Sequence, residues 1–151
     1  MFRGANPVTL DAKGRLAMPT RFRDQIAARS HGHLVMTVDL TDRCLLIYTS
    51  IDWEVIEQKL INLPALNPAA RRAQRLLLGH LSEVELDANG RALVAPFLRE
   101  YAGITRDAVL VGQGVRFELW DEKHWNESRA EWLKAEQGDE PLPPELASLT
   151  L

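Results

Sequence analysis

Apolar and polar positions follow the same order of patterns twice along the chain. The first round has short apolar strand segments at 7–10 and 16–18, a helix at 21–28, strands at 34–38 and 44–48, and a helix at 51–62. The second round has strands at 84–86 and 92–94, a helix from 96 that ends at 103, strands at 109–111 and 115–120, and a helix at 122–136. A period of two is typical of half-buried strands, and apolar residues three or four apart are typical of helices. The pattern predicts two copies of β-β-α-β-β-α.

A pentamer that occurs twice marks the two copies. Asp11-Ala12-Lys13-Gly14-Arg15 and Asp87-Ala88-Asn89-Gly90-Arg91 share the pattern Asp-Ala-x-Gly-Arg at a spacing of 76 residues. An aspartate at the start of a turn accepts backbone N–H groups, and glycine supplies the positive φ of a tight turn. Each copy lies between two apolar segments, so both pentamers are predicted to be β-hairpin turns. The residues that set this turn geometry are Asp11, Gly14, Asp87 and Gly90.

The duplication divides the chain into five segments. These are 1–52 for the first repeat, 53–80 for linking helices, 81–124 for the second repeat, 125–137 for a C-terminal helix and 138–151 for an irregular tail. A half with four short strands cannot pair its own sheet edges, whereas two interlocked halves can close them. The predicted fold class is therefore α+β, with two repeats interlocked into a β-barrel and the helices packed outside.

Charge is distributed unevenly along the chain. The net charge is −3, but residues 1–33 carry six Arg and Lys against two Asp, while residues 108–151 carry four basic residues against nine acidic ones. Duplex DNA requires basic side chains on one face, because neutralising phosphates releases counterions. The first pentamer supplies Lys13 and Arg15, whereas the second supplies only Arg91, since Asn89 stands where the first has lysine.

Several function classes lack their sequence signatures. No segment approaches the ~20 apolar residues that span a bilayer, and the first residues lack the apolar core of a signal peptide. Cys44 is the only cysteine, so neither an intrachain disulfide nor a cysteine metal cage is expected. His31 and His33 are interpreted as loop residues, and no hydrolase, phosphate-loop or zinc-protease motif occurs. The chain is expected to be a cytoplasmic protein without enzymatic activity, metal or cofactor.

Four motifs together resemble the MraZ family of transcriptional regulators. They are Met1-Phe2-Arg3-Gly4, the paired pentamers, Arg75-Leu76-Leu77-Leu78-Gly79-His80, and Val111-Gly112-Gln113 with Phe117-Glu118-Leu119-Trp120. The resemblance covers the chain to about residue 137. It implies the AbrB-like swapped-hairpin fold, in which two hairpin units interlock into a small DNA-binding barrel, and it implies assembly into a closed homo-oligomeric ring.

The resemblance also implies a function and a set of DNA-contacting residues. The expected function is sequence-specific regulation of the cell-division and cell-wall gene cluster that begins with the regulator's own gene, on the nucleoid, through repeated promoter elements in duplex DNA. Arg15 and Lys13 are expected on the DNA-facing turn, with Arg3 and Arg21 as further candidates and Arg91 from the second turn. Whether Arg15 contacts guanine or only phosphate stays open. The alternative is an antitoxin-like or structural oligomeric partner without specific DNA readout.

Overall fold

The computed structural model describes residues 1–151 and shows an α+β fold of eight strands and six helices. The strands are β1 (Phe2–Thr9), β2 (Arg15–Ala17), β3 (His33–Val38), β4 (Leu45–Thr49), β5 (Ser82–Glu85), β6 (Arg91–Leu93), β7 (Asp107–Gly114) and β8 (Arg116–Asp121). The helices are α1 (Thr20–Ser30), α2 (Ser50–Ile61), α3 (Pro68–Gly79), α4 (Pro96–Ala102), α5 (Glu122–Glu136) and α6 (Pro144–Ala147). The order β-β-α-β-β-α occurs twice, with α3 between the two rounds. No helix has both the length and the apolar character needed to cross a membrane.

The two halves of the chain share one antiparallel sheet. Six strands lie in the order β1-β7-β8-β4-β3-β5, and β2 and β6 form a separate two-stranded ribbon. The longest pairing joins the halves, since β1 runs along β7 from Phe2 opposite Gly114 to Thr9 opposite Asp107. The pairs β4–β8, β3–β5 and β2–β6 also cross between the halves. Neither half therefore has a complete sheet of its own.

The strands that flank each pentamer do not pair with each other as a hairpin predicts. At the first turn, a single isolated bridge joins Leu10 to Leu16. Away from the turn, β1 pairs with β7 and β2 pairs with β6. The hairpin prediction is wrong beyond the turn because β1 finds an eight-residue partner in the other half, which offers more backbone hydrogen bonds than the three-residue β2. The six-stranded sheet does not close into the predicted barrel, because β1 and β5 remain its two edges.

The main core lies between the sheet, the ribbon and helices α1 and α4. It contains 21 buried residues from both halves, including Leu16 and Ala92 at the centre of the ribbon, both fully buried. Phe2 stacks on Phe117 at 4.1 Å between ring centroids, and Phe22 packs edge-on against both rings. A second cluster on the opposite side of the sheet joins the sheet to α2 and consists of Val35, Leu46, Tyr48, Trp53 and Leu60, with α3 packed against it.

Side-chain caps are present at the N-termini of α2, α3 and α5 and absent at those of α1, α4 and α6. Asp121 caps α5 through its side chain, as its position before the helix predicts. Thr20 and Ser50 are the first residues of α1 and α2, and Thr49 rather than Ser50 caps α2 through its side-chain oxygen. The tail expected to be irregular contains the one-turn helix α6, which begins with a proline at its first position.

Gly112 provides a test of the pairing between the two halves. A β-carbon added there would lie 2.6 Å from the carbonyl carbon of Phe2 and 2.8 Å from Cα of Arg3 in β1. Because these are backbone atoms of a paired strand, we expect Gly112→Ala to lower the free energy of unfolding by about 2 kcal/mol. Denaturant unfolding measures this. Gly79→Ala is the matched control, since nothing lies within 4 Å of its added carbon; unfolding of both variants at the wild-type midpoint would contradict the tight approach of β1 to β7.

Candidate nucleic-acid interface

The first pentamer forms a turn that its own side chain stabilises. Oδ1 of Asp11 accepts the backbone N–H of Lys13 at 3.0 Å and that of Arg15 at 2.9 Å. The N–H of Gly14 donates to the backbone oxygen of Asp11 at 2.9 Å. Gly14 has a φ of 81°, which a residue with a β-carbon rarely adopts. The turn therefore leaves Lys13 exposed at its tip and sets Arg15 at the start of β2.

The second pentamer repeats these bonds one for one. Oδ1 of Asp87 accepts the backbone N–H groups of Asn89 and Arg91, both at 2.9 Å, and Gly90 donates to the backbone oxygen of Asp87 at 2.9 Å. The φ of Gly90 is 72°. The hydrogen bond from the backbone of Arg91 is the largest cause that holds the pKa of Asp87 below its ordinary value. This carboxylate is therefore ionised at neutral pH.

The ribbon brings the two turns side by side. Leu16 lies opposite Ala92, with Arg15 opposite Leu93 and Arg91 opposite the residue after Leu16. Because successive side chains of a strand point to opposite faces, the buried centre of the ribbon requires Arg15 and Arg91 to lie on its outer face. Two basic side chains, one from each repeat, are therefore presented together.

An arginine from a helix covers the glycine of each turn. Arg99 of α4 lies over Gly14, where an added β-carbon would be 2.6 Å from the guanidinium carbon. Arg23 of α1 lies over Gly90, where the added carbon would be 2.7 Å from Cδ. Each arginine donates from Nε to a backbone oxygen just beyond the strand that precedes its helix, at 3.0 Å for Arg99 and 2.7 Å for Arg23. Each repeat therefore supports the turn of the other repeat.

An arginine-lined groove of about 560 Å³ runs beside the first turn. Its lining residues are Thr9, Leu10, Asp11, Ala12, Arg15, Ala17, Arg91, Arg99, Thr105 and Arg106. The sequence pattern singles out neither Arg99 nor Arg106, although both line this groove. The duplication could have identified Arg99, because Arg99 occupies in the second repeat the position that Arg23 occupies in the first. No feature of the sequence could have identified Arg106, because only the pairing of β1 with β7 brings this residue to the first turn.

Asp11 forms ion pairs with arginines of both repeats. Its Oδ2 lies 2.7 Å from Nε of Arg15 and 3.8 Å from Nη1 of Arg91. The backbone hydrogen bond from Arg15 is the largest cause that lowers the pKa of Asp11, and the side-chain hydrogen bond from Arg15 lowers it further. The side chains of Asp11, Arg15 and Arg91 are 30%, 34% and 41% exposed. Ion pairs this open to solvent contribute little to stability, so both guanidinium groups remain accessible to a ligand.

Two of the predicted DNA-binding residues lie elsewhere. Arg21 donates to the backbone oxygen of Arg3 at 3.2 Å and also bonds the side chain of Asn6. Its guanidinium carbon lies 4.6 Å from the ring centroid of Phe22. Arg3 and Asp11 are about eight residues of extended chain apart, which separates the two sites by roughly 25 Å. The predicted basic residues therefore form two groups, one at the turns and one at the far end of β1.

A second polar cluster lies away from the ribbon, where side-chain atoms of Asp39, Cys44 and Glu118 fall within 4.8 Å of one another. Burial raises the pKa of the Cys44 thiol and, as the largest cause, also that of the Glu118 carboxyl. Trp120 donates from Nε1 to Glu118 at 3.0 Å. Burial therefore favours the neutral thiol of Cys44 over the reactive thiolate. Glu118 lies in β8, whereas Asp39 and Cys44 lie at the two ends of the loop between β3 and β4.

Comparison with known proteins matches both halves of the chain. The family model described as "MraZ protein, putative antitoxin-like" matches residues 1–76 and again residues 77–141. A protein named transcriptional regulator MraZ from Coxiella burnetii (strain Dugway 5J108-111) is 57% identical over 153 residues, and one from Halorhodospira halophila is 55% identical over 152 residues, each alignment covering 100% of both chains. One from an Enterobacter species (strain 638) is 54% identical over 139 residues, 92% of this chain and 91% of its own. The chain belongs to the MraZ family.

Proposed function

We propose that the chain is a sequence-specific DNA-binding transcriptional regulator. One observation carries this proposal: the ribbon places Arg15 and Arg91, from two turns 76 residues apart, together on one outer face. The names of the relatives support regulation of transcription. A two-stranded ribbon is one of the elements that fit the major groove of B-DNA. The regulated genes in this proposal are the cell-division and cell-wall cluster that includes its own gene, so the protein acts on the nucleoid in the cytoplasm.

The basic residues of the interface divide into base-reading and phosphate-contacting residues. Nε of Arg15 is engaged by Asp11, and no hydrogen bond within the chain engages its two terminal nitrogens. These terminal nitrogens form a fork that matches O6 and N7 of guanine, so Arg15 is proposed to read a base. Lys13 at the tip of the turn and Arg106 on the groove wall are proposed to contact phosphates, which fix position rather than sequence.

The proposed architecture is a swapped arrangement of two interlocked repeats. The cross-repeat pairings of β1 with β7 and of β2 with β6 support it, as do the arginines that cover the opposite turns. The segments 1–52, 53–80, 81–124, 125–137 and 138–151 remain the proposed division of the chain.

Assembly into a closed homo-oligomeric ring completes the proposal. Large apolar side chains are exposed on α2 and α5, among them Val55 at 57%, Ile61 at 50% and Leu133 at 49%. These side chains are proposed as candidates for contacts between copies of the chain in the ring. A ring presents many copies of one small DNA site, so binding to repeated promoter elements gains affinity through avidity. Arg3 and Arg21, at the far end of β1, are proposed to bind a more distant stretch of the same duplex. No enzymatic activity or cofactor is part of the proposal.

The first prediction is preference for a specific duplex. At physiological salt, we expect the protein to bind DNA from upstream of its own gene at least about tenfold more tightly than a scrambled duplex of equal composition. Fluorescence anisotropy with both duplexes measures this. Equal binding to the two would overturn specific readout and favour the alternative of an antitoxin-like or structural oligomeric partner.

The second prediction concerns Arg15→Ala. The variant should bind the specific duplex much more weakly and lose ~1–3 kcal/mol of its preference over the scrambled duplex, because Arg15 is proposed to read a base. A fall of about 1 in the slope of log affinity against log salt would instead assign the arginine to a phosphate. Its melting temperature should change by no more than about 2 °C, because the side chain lies on the surface. The same anisotropy assay, run over a series of salt concentrations, measures the affinity and the slope.

Two matched variants control the Arg15 experiment. Arg91→Ala is expected to weaken binding less, since Asn89 leaves that turn without a lysine. Arg72→Ala, which removes an exposed arginine of α3, should bind as wild type does. Wild-type binding by a folded and normally assembled Arg15→Ala variant would rule out the first turn as the reading element.

The third prediction is oligomeric state. Multi-angle light scattering at micromolar concentration should give a mass that is a multiple of the 17.0 kDa chain, unchanged by Arg15→Ala. A mass of one chain would contradict the ring.

A further inference from the structure

We propose that Asp11 is a specificity-determining residue of the DNA interface, in addition to its role in the turn. Its second carboxylate oxygen orients Arg15 towards a base, holds Arg91 beside it and opposes non-specific binding to phosphates. This inference rests on the proposed function and names the residue that makes its reading site selective.

The two turns provide the evidence, because the same aspartate is used differently in each. Oδ1 of Asp11 and Oδ1 of Asp87 each accept two backbone N–H groups of their turn. Oδ2 of Asp11 pairs with Arg15 at 2.7 Å and with Arg91 at 3.8 Å, whereas no basic side chain lies within ion-pair distance of Asp87. Turn geometry therefore requires only Oδ1. The second oxygen of Asp11 is engaged solely by arginines of the DNA-facing surface.

The geometry of the first pair suits base readout. Asp11 accepts from Nε of Arg15 on the side edge of the guanidinium group, which leaves the terminal edge with Nη1 and Nη2 for a ligand. A guanidinium held in one plane discriminates guanine through two parallel hydrogen bonds. Without the hydrogen bond to Asp11, the guanidinium group of Arg15 can rotate towards a phosphate, and its discrimination for guanine is lost.

The negative charge of Asp11 also increases the specificity of binding. It is the one carboxylate among the ten residues of a groove that also contains Arg15, Arg91, Arg99 and Arg106. A negative charge at this place weakens attraction to any phosphate backbone, whatever the sequence. Specificity is a difference between two affinities, and a repulsive element that penalises the wrong partner increases it. Asp11 therefore supports the specific complex and disfavours the non-specific one.

The experiment compares Asp11→Asn with Asp87→Asn. Asparagine keeps the Oδ1 acceptor of the turn but removes the charge and the Oδ2 acceptor. For Asp11→Asn we expect the ratio of affinities for the specific and the scrambled duplex to fall at least about fivefold, with binding to the scrambled duplex equal or tighter. Asp87→Asn removes the same charge from a turn in which no arginine pairs with the aspartate. For this variant the ratio of affinities for the specific and the scrambled duplex should therefore fall less. Glu140→Gln, in the exposed tail, controls for net charge and should leave the ratio unchanged.

The outcomes separate this inference from the function on which it rests. A wild-type protein without preference for the specific duplex would overturn both. A specific wild type with an unchanged ratio in Asp11→Asn, or an equal fall in Asp87→Asn, would overturn the role of Asp11 alone. A loss of affinity for both duplexes in the same proportion would assign Asp11 to the turn only. If Asp11→Asn does not fold, Asp11→Ser keeps a turn acceptor and is subject to the same criteria.

Discussion

The short ribbon between β2 and β6 is the contact on which the rest of the structure depends. The N–H of Met18 donates to the oxygen of Gly90 at 3.0 Å, and the N–H of Val94 donates to the oxygen of Gly14 at 2.9 Å. These two bonds are equivalent under the 76-residue repeat, and each ties a turn of one half to the strand end of the other. The position of either turn is therefore defined only when both halves are folded together. Presentation of basic residues as a pair follows from this exchange and not from either half alone.

The local chemistry of the chain was predictable from sequence, while its long-range pairing was not. The bonds of the Asp11 turn lie within five residues, so a pattern of Asp, Gly and Arg contains all that the turn needs. The match of the family to both halves confirms the predicted duplication. The pairing of β1 with β7 joins segments about a hundred residues apart, and alternation of apolar residues carries no information on which partner a strand selects. A hairpin was therefore predicted where an exchange between the halves occurs.

The candidate nucleic-acid interface shows the same difference between what local sequence predicts and what long-range pairing determines. Arg15 and Arg91 are found together because the repeat marks both and the ribbon joins their turns. The approach of Arg99 to Gly14 arises from a helix of one repeat lying over the turn of the other, which spacing along the chain does not reveal. Arg3 is separated from the turn because β1 is extended and eight residues long, although their closeness in sequence suggests otherwise.

The differences between the repeats are as informative as their similarity. At the centre of the ribbon, Leu16 faces Ala92, and both are fully buried. A large residue opposite a small one fills the core without overpacking, so the ribbon departs from twofold symmetry in its packing. On its outer face the asymmetry continues, because Asp11 forms ion pairs with the arginines of both turns while Asp87 pairs with neither. A symmetric pair of turns would present two equivalent weak sites. The chain instead places the arginines of both turns around one carboxylate, so the outer face of the ribbon has a polar asymmetry that two identical turns would lack.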